Sequence, residues 1–586
     1  MEKNQSKQFV GFIITTAIIF LIGLILTLTG TTAASGTKGF MAFVTFVLAF
    51  MPILLVLIGM VGFDLPGMKV APFAFLLAVL FSFTYFMNNE LTFGAEAAAV
   101  WAQTWSGIKS AIFIVGLIFF SFLILDMMQT SGAMDVVKRA IAGISADRRV
   151  QLIIVGLFVP IFMEGAAGAG TPAAIAAPFM VGLGFDPVLA VVVALMSDGV
   201  CTSFGGAGLT TMGGGQDLVA AGLSTPDLNF GAAGLFHMIG ILVMPLLIIA
   251  FAYGKKGFKG KGIVGYALYC GVIGGLLMFV LSNYIGGFIT DLGTGLLGII
   301  LAILGTKLFK IETPDEFLNV VPKQEGKEKY SVVRALSPYL FIMVLFPVIL
   351  TGTKYISCDI LKPDGTAYGN WWNFFSGKLT YNGWIDCLLF IVSILSVFSL
   401  KFGFGPYWQS FKRSFKKVIA VFIIMAALYS VANIMKIPYM VTAEGQSVSM
   451  IIRLALDISN AAGPLYPAAA VLIGAIGAFI TGTNLGANQL FANMHVAAAE
   501  NLGINTIMTF ACNNAGGSLG NMICPNNVTA ACATVGMMGQ ESKVMKRVAV
   551  MFLICVVLYM LLGTLYVYVL FPHVDVNTLH LLAAMG

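Results

Sequence analysis

The sequence is poor in charged residues, and this shortage excludes several classes of protein. Asp, Glu, Lys and Arg make up only 10% of the 586 residues, whereas 59% are hydrophobic. An ordinary soluble domain has about 25% charged residues, because much of any globular surface must face water. A soluble enzyme, a nucleic-acid-binding protein and a disordered chain are therefore excluded. The composition is typical of a multi-pass membrane protein.

Residues that usually build metal sites are also scarce. The four His residues are scattered, and the eight Cys residues lie in apolar segments without a CxxC pair or zinc-ligand spacing. We therefore expect no metal site and no cofactor, and we interpret the Cys residues as small core residues. The net charge of +6 comes from short Lys and Arg clusters between apolar runs, which is typical of cytoplasmic loops.

Long apolar runs divide the chain into segments long enough to cross a bilayer, which takes about 20 residues. They predict an all-α polytopic membrane protein with about 12–14 transmembrane helices, several of them broken. The first run, residues 9–28, is longer than the core of a signal peptide, so we interpret it as a spanning segment. The runs are 9–28, 40–63, 70–87, 108–128, 150–163, 187–204, 231–253, 263–285, 292–309, 336–350, 385–400, 418–435, 465–480, 504–512 with the residues after it, and 548–570.

An internal repeat is visible in residues 162–186 and 479–505. In each copy an apolar run enters a break rich in Gly, Ala and polar residues, and a short segment ending in Leu-Gly follows. Basic residues flank the first copy before its break and the second copy after it, so the positive-inside rule places the copies in opposite orientations, with a cytoplasmic N-terminus. We predict two inverted-topology repeats with broken helices and re-entrant hairpins. The predicted segments are N-terminal helices (1–107), first repeat (108–230), central helices and loops (231–417), second repeat (418–547), and C-terminal helix with tail (548–586).

The first break runs from Glu164 to Pro172, and its composition favours a binding site at membrane depth. Non-helical backbone survives there only beside protein or a water-filled cavity. Glycines permit such backbone, and Thr-Pro is a favourable helix start whose free N–H groups suit a carboxylate. Close packing through small residues is the alternative, but an acidic residue does not fit it. The predicted substrate-binding residues here are Gly165, Gly168, Gly170 and Thr171.

Two acidic residues interrupt apolar runs, Glu164 in the first break and Asp198 in the next span. Acidic groups are costly inside a bilayer and usually mark ion or proton pathways. We therefore predict that Glu164 and Asp198 carry the coupling proton or cation. For Glu164 the alternative is a structural ion pair with Lys109 or Arg453.

Neutral amides and hydroxyls gather at the second break and in residues 513–527. They can bind a hydroxyl or a carboxylate without adding charge. A single Asn is more often a tie between helices, but this group has more Asn residues than ties require. We predict that Asn488 caps the helix after Ala487, and that His495 packs, with a proton-relay role left open. The predicted binding residues are Asn484, Asn488, Asn513, Asn514, Ser518, Asn526 and Asn527.

The two regions together resemble the lactate permease family, which includes glycolate permeases. The first motif is FMEGAAGAGTPAAIAAP with VGLGF, and the second combines FITGTN, NAGG, MICPNN and ACATVGM. The resemblance implies a bacterial cytoplasmic-membrane carrier that takes up lactate, or a close 2-hydroxy acid, with a proton. It transfers onto Glu164, the three glycines, Asn488 and residues 513–527. The chain departs from the family pattern at Ala169, usually aromatic, at Asn521, usually Lys, and near Asp198, where an Asn is common.

The expected partners are a small lactate-like anion, a proton and the lipid bilayer, and a homo-oligomer is compatible with the sequence. A sodium-coupled organic-anion carrier is the main alternative, because Asn-rich breaks with an acidic residue can also bind Na⁺. An intramembrane enzyme has little support, since the sequence lacks an HExxH motif. A channel would need polar residues along several helices, whereas here they gather in two places.

Overall fold

The structure is a computed structural model of the chain. It describes residues 2–34, 39–88, 90–136, 139, 145–168, 171–206, 208–215, 218–219, 221–287, 289–319, 329–342, 344–345, 359–361, 367–370, 381–441, 447–578 and 581.

Helices account for most of the described residues, and they follow the apolar runs of the sequence. Seven helical segments in the described part are long and apolar enough to cross a membrane, and shorter apolar helices accompany them. The predicted run 336–350 lies partly outside the described residues. The helices of the N-terminal part are α1 (Glu2–Leu28), α2 (Gly39–Leu57), α3 (Gly67–Ser82) and α4 (Phe93–Ser131).

The next part of the chain consists of short, interrupted helices. A π-helical turn, Ile154–Phe158, joins the first two, and a 3₁₀ turn, Thr202–Phe204, follows the fourth. Asp186 caps the fourth by accepting a hydrogen bond from Leu189 N, and Pro187 suits its first position. The helices are α5 (Arg148–Ile153), α6 (Val159–Ala167), α7 (Thr171–Gly182), α8 (Pro187–Asp198) and α9 (Leu209–Gly214).

Longer helices form the central part, and the broken pattern returns afterwards. The central helices are α10 (Pro226–Tyr253), α11 (Ile263–Val280), α12 (Thr290–Leu308), α13 (Val332–Ala335), α14 (Tyr381–Ser399) and α15 (Phe404–Ile434). The last are α16 (Met450–Ala462), α17 (Tyr466–Thr481), α18 (Asn484–Leu502), α19 (Thr506–Ile523), α20 (Pro525–Thr534) and α21 (Glu541–Leu565).

Two small antiparallel hairpins correct the expectation of an all-α protein. Strand β1 (Asp359–Leu361) pairs with β2 (Ala367–Asn370), and β3 (Pro438–Val441) pairs with β4 (Ser447–Ser449). Both lie in connections between helices, where the sequence is polar and no apolar run predicts an element.

Each break is the tip of a helical hairpin. In the first, α5 and α6 lead up to the tip and α7 returns, so that the Arg148 guanidinium lies 6.0 Å from the centre of the Phe185 ring. In the second, α17 packs against α18, and a Cβ on Gly477 would lie 2.9 Å from Cβ of Ala487. The hairpins bring two non-helical segments into the interior of the helix bundle.

Glycines set the closest helix contacts. A Cβ on Gly165 would lie 2.6 Å from Cβ of Asp291, and one on Gly295 would lie 2.5 Å from the backbone of Phe162, so α6 and α12 touch at the backbone. The contact between α17 and α19 is closer still, since a Cβ on Gly516 would overlap the carbonyl of Val471. Small residues allow such approach in membrane helices.

A buried arginine anchors the base of the first hairpin. Arg149 pairs with Asp147 at 2.5 Å and donates hydrogen bonds to the carbonyl oxygens of Gly257 and Lys259, at 3.0 and 2.5 Å. Its guanidinium also stacks 4.3 Å from the centre of the Phe317 ring. The start of α5 is thereby tied to the segments that follow α10 and α12, which fixes where the first break lies.

Candidate functional site

The first break contacts a second non-helical segment of the same half. α6 ends at Ala167, and Gly168 has φ +65°, a conformation that glycine adopts readily. The carbonyl oxygen of Glu164 accepts hydrogen bonds from the N–H groups of Gly168 and Gly206, each at 2.9 Å. The predicted helix break is confirmed, and so is the helix start at Thr171, whose side chain is not among those described. Gly170 lies outside the described residues.

Three fully buried carboxyl groups face one another beside this break, from Glu164, Asp198 and Asp291. The Glu164 and Asp198 carboxyl groups are within hydrogen-bonding reach of each other, and none of the three groups has another hydrogen-bond partner among the described residues. The Glu164 carboxyl lies directly against Gly205, where a Cβ would overlap it. The structure thus joins both predicted acidic residues and adds a third, Asp291, which lies at the edge of an apolar run and reads as a loop residue in the sequence.

Three buried acidic groups this close together cannot all remain ionised, because like charges repel strongly where water is excluded. The group can therefore take up and release a proton, or bind a cation. The structural ion pair considered for Glu164 is not formed: Arg453 pairs with Asp457 at 2.7 Å, and the Lys109 ammonium lies 6.0 Å from the Trp105 ring.

Amide side chains form a second buried group, which we call the amide cluster (Asn484, Asn488, Asn513 and Asn514). Asn514 Oδ1 accepts hydrogen bonds from Asn484 Nδ2 at 3.0 Å and from Asn488 Nδ2 at 2.9 Å. Asn513 Nδ2 donates to Asn488 Oδ1 at 2.9 Å, and Asn514 Nδ2 donates to Thr211 Oγ1 at 2.6 Å. Four residues predicted separately from the second break and the 513–527 stretch are thus brought together, and Thr211 adds a contact from the first half.

The segment between α8 and α9 joins the carboxyl groups to the amide cluster. Its Gly206 is bound to Glu164, as described above, and its Ser203 hydroxyl donates to the carbonyl oxygen of Asn514 at 3.3 Å. The three carboxyl groups and the amide cluster therefore lie on either side of this short segment. Together they form one site built from both halves of the chain.

Comparison with known proteins identifies the family of the chain. The family profile described as L-lactate permease matches residues 45–374 and 363–570. The chain belongs to the L-lactate permease family.

Characterised relatives cover most of this permease. It is 24% identical to the glycolate permease GlcA of Escherichia coli, over 82% of this chain and 88% of that one. It is 26% identical to an L-lactate permease of Salmonella typhimurium (75% and 82%) and 23% identical to one of Bacillus subtilis (84% and 91%). A crystal structure of the Alcanivorax borkumensis YdaH transporter aligns over 82% of this chain and 90% of that one, at 12% identity and a TM-score of 0.30, too low to assign a fold.

The second break is shorter than the sequence indicates, because the helix after it begins earlier than predicted. α17 ends at Thr481, Gly482 has φ +81°, and Thr483 caps α18 by accepting a hydrogen bond from Gly486 N at 3.0 Å. The prediction that Asn488 caps a helix after Ala487 is therefore wrong, because Asn488 lies in the second turn of α18. Threonine fills the cap, which leaves the Asn488 amide free to join the amide cluster.

The other predicted polar residues make different contacts. Ser518 donates to the carbonyl oxygen of Gly199 at 2.9 Å, Asn527 donates to Asn521 O at 3.2 Å, and Asn526 lies beside Gly482. Residues 516–520 match the Gly-x-Ser-x-Gly pattern of hydrolases, but they lie inside α19 rather than at a strand-to-helix turn. His495 shares a hydrogen bond with the Tyr466 hydroxyl at 2.8 Å, and its ring also faces the Asn513 side chain. Its relay role stays a prediction.

Sequence reasoning missed Ser203, Thr211 and His237. Ser203 and Thr211 lie in a stretch whose Gly and hydroxyl residues resemble the recognised breaks, and that composition is the signal that could have found them. His237 is an isolated His in an apolar helix, α10, and nothing in the local sequence distinguishes it from a packing residue.

Proposed function

We propose that this permease takes up lactate, or another small 2-hydroxy monocarboxylate, together with a proton across a bacterial cytoplasmic membrane. One observation carries the proposal: three buried carboxyl groups, with no hydrogen-bond partner outside their own group among the described residues, adjoin the amide cluster across the segment that links α8 to α9. Relatives named L-lactate permease and glycolate permease support the substrate class. In this proposal the N-terminus is cytoplasmic.

The carboxyl groups carry the proton in this proposal. A monocarboxylate anion and a proton are together neutral, which lowers the cost of moving them through a region of low dielectric constant. Glu164 lies at the tip of the first hairpin, and Asp198 ends α8, so movement of either segment changes the exposure of these groups to water. Asp291 on α12 adds a third acidic group, and the cost of ionising all three together favours keeping a proton within the group.

The substrate would bind between the two hairpin tips. The N-termini of α7 and α18 supply free N–H groups and a partial positive charge for its carboxylate. Asn484 Oδ1 is buried without a hydrogen-bond donor among the described residues, whereas the Asn513 side chain also faces the His495 ring. A buried acceptor without a donor is costly, and a 2-hydroxyl group supplies the missing donor.

Alternating access would come from movement of one half against the other. We propose that the hairpin α5–α7 with α8, and the hairpin α17–α18 with α19, are inverted repeats that enter the bilayer from opposite sides. The segment that links α8 to α9 contacts Glu164 near one tip and Asn484 near the other, so in this proposal opening either tip exposes the site to one side only.

Uptake of labelled lactate into membrane vesicles tests the proposal. With a pH gradient of one unit, alkaline inside, coupling of one proton to one lactate predicts an accumulation of about tenfold, since 1.4 kcal/mol is a tenfold ratio. Replacing Na⁺ by choline at fixed pH should leave uptake unchanged. Uptake that requires Na⁺ and ignores the pH gradient would favour the sodium-coupled alternative.

Replacing Asn514 by Ala should raise the KM for lactate about tenfold, because the amides of Asn484 and Asn488 lose their shared acceptor. The measurement is the concentration dependence of initial uptake rates. Asn283→Ala is the matched control, since the Asn283 amide donates to Gly231 O on α10 and to Phe279 O on α11, away from the amide cluster. An equal rise in both variants would contradict a binding role for Asn514.

A further inference from the structure

A chain of hydrogen bonds leads from the amide cluster to the C-terminal helix. Asn484 Nδ2 lies 3.4 Å from Ser203 Oγ, which lies 2.7 Å from His237 Nε2. On the other side of the ring, His237 Nδ1 lies 3.2 Å from the Tyr559 hydroxyl. Ser203, His237 and Tyr559 are all fully buried. We call these three residues the serine relay.

A glycine on α10 makes room for the contact between Tyr559 and His237. Gly240 lies one turn after His237 on α10, and a Cβ there would overlap the Tyr559 hydroxyl. Tyr559 can reach the histidine only because this position has no side chain. On the same helix, Tyr566 uses its hydroxyl differently, donating to Leu235 O at 3.2 Å.

The bonding capacity of Ser203 shows why it needs this support. A serine hydroxyl has one proton and two lone pairs, yet Ser203 Oγ faces the Asn514 carbonyl, the Asn484 amide and the His237 ring. Neutral His237 offers one donor and one acceptor nitrogen. The His237 ring contacts the backbone of Val200 as well as the Tyr559 hydroxyl, and the tautomer that these contacts stabilise decides whether the Ser203 proton points to the histidine or is available to another acceptor.

The contact between Ser203 and Asn484 is the weakest link of the chain. At 3.4 Å it exceeds the usual range for a hydrogen bond, and Asn484 Oδ1 lacks a donor among the described residues. A hydroxyl group placed here would donate to Asn484 Oδ1 and share a hydrogen bond with Ser203 Oγ. Both residues would then be better satisfied than without a ligand.

We propose that Ser203 determines specificity for the 2-hydroxyl group of the substrate, and that His237 and Tyr559 are positioning residues that orient its hydroxyl. This inference rests on the proposed function. Such specificity distinguishes lactate from propionate, which has the same carboxylate and carbon chain but no hydroxyl group.

Competition against labelled lactate uptake tests the specificity role. In the unchanged permease, unlabelled lactate should inhibit at about tenfold lower concentration than propionate, the ratio expected for one hydrogen bond at a buried site. In Ser203→Ala this preference should fall to about one, while Ser203→Thr, which keeps a hydroxyl, should retain it. Ser197→Ala is the control, because that buried serine donates to Gly156 O instead, and it should leave the preference unchanged.

The positioning role is tested separately, by removing the hydroxyl oxygen of Tyr559. Tyr559→Phe should lower the preference for lactate about threefold, and His237→Gln, which keeps a polar group near Ser203, should lower it less than His237→Leu. Tyr566→Phe should not change it, because the Tyr566 hydroxyl donates to Leu235 O rather than to a residue of the relay.

Each negative result of these experiments overturns a different part of the proposal. If the unchanged permease transports lactate but Ser203→Ala keeps the preference, the specificity role is wrong and the proposed function stands. If Ser203→Ala loses the preference but Tyr559→Phe keeps it, the positioning role is wrong. If the unchanged permease neither transports lactate nor is inhibited by it, both the function and the inference are overturned.

Discussion

Replacing Glu164 by Gln should abolish the accumulation of lactate against its gradient. Gln has nearly the same shape but cannot exchange a proton, and Glu164 lies at the hairpin tip among buried carboxyl groups. In vesicles with a pH gradient of one unit, we expect the accumulation ratio to fall from about ten to about one. Downhill exchange of labelled for unlabelled lactate should persist, because it needs no net proton movement.

Glu96→Gln is the matched control for this experiment. Glu96 is also a buried glutamate, but its carboxyl group contacts the backbone of Asn88 and it lies in the first turn of α4, outside the three-carboxyl group. Loss of coupling in Glu96→Gln alone would move the proton site to α4. Full coupling in Glu164→Gln would leave Asp198 or Asp291 as the proton carrier, which the corresponding Asn variants would identify.

Replacing Gly516 by Ala should prevent stable assembly of the second half. An added methyl group would overlap the carbonyl of Val471 on α17, and backbone in a packed helix cannot rotate away as a side chain can. Overpacking of this kind costs about 3 kcal/mol. We expect little folded protein after solubilisation in detergent, and a lower midpoint of thermal unfolding in what remains.

Gly94→Ala is the control, since Gly94 lies in α4 with no atom within 4 Å of the added Cβ. Helix propensity favours Ala over Gly by roughly 1 kcal/mol, so this variant should match or exceed the unchanged chain in stability. An unfolding midpoint for Gly516→Ala equal to that of Gly94→Ala would show that α17 and α19 are not in backbone contact.

The helices and their interruptions were largely predictable from the sequence. Apolar runs such as 9–28 and 263–285 match helices closely, because spanning the bilayer demands both length and apolar character. The breaks at 168 and 482 were predictable because glycine and polar residues at membrane depth oppose a continuous helix. The residue that caps α18 was not predictable, since Thr and Asn are both favourable capping residues. Packing decides that Thr483 caps the helix and that the Asn488 side chain is available for another contact.

The amino-acid sequence by itself determined that the chain is a membrane protein, where its apolar helices lie and where two of them break, because those properties depend on local composition. Tertiary structure decided which polar groups meet. Asp291 joins Glu164 only because glycines let α6 and α12 touch, and Ser203 meets Asn514 and His237 only because helices distant in sequence pack around one segment. Contacts between distant segments depend on the packing of whole helices, which no local pattern specifies.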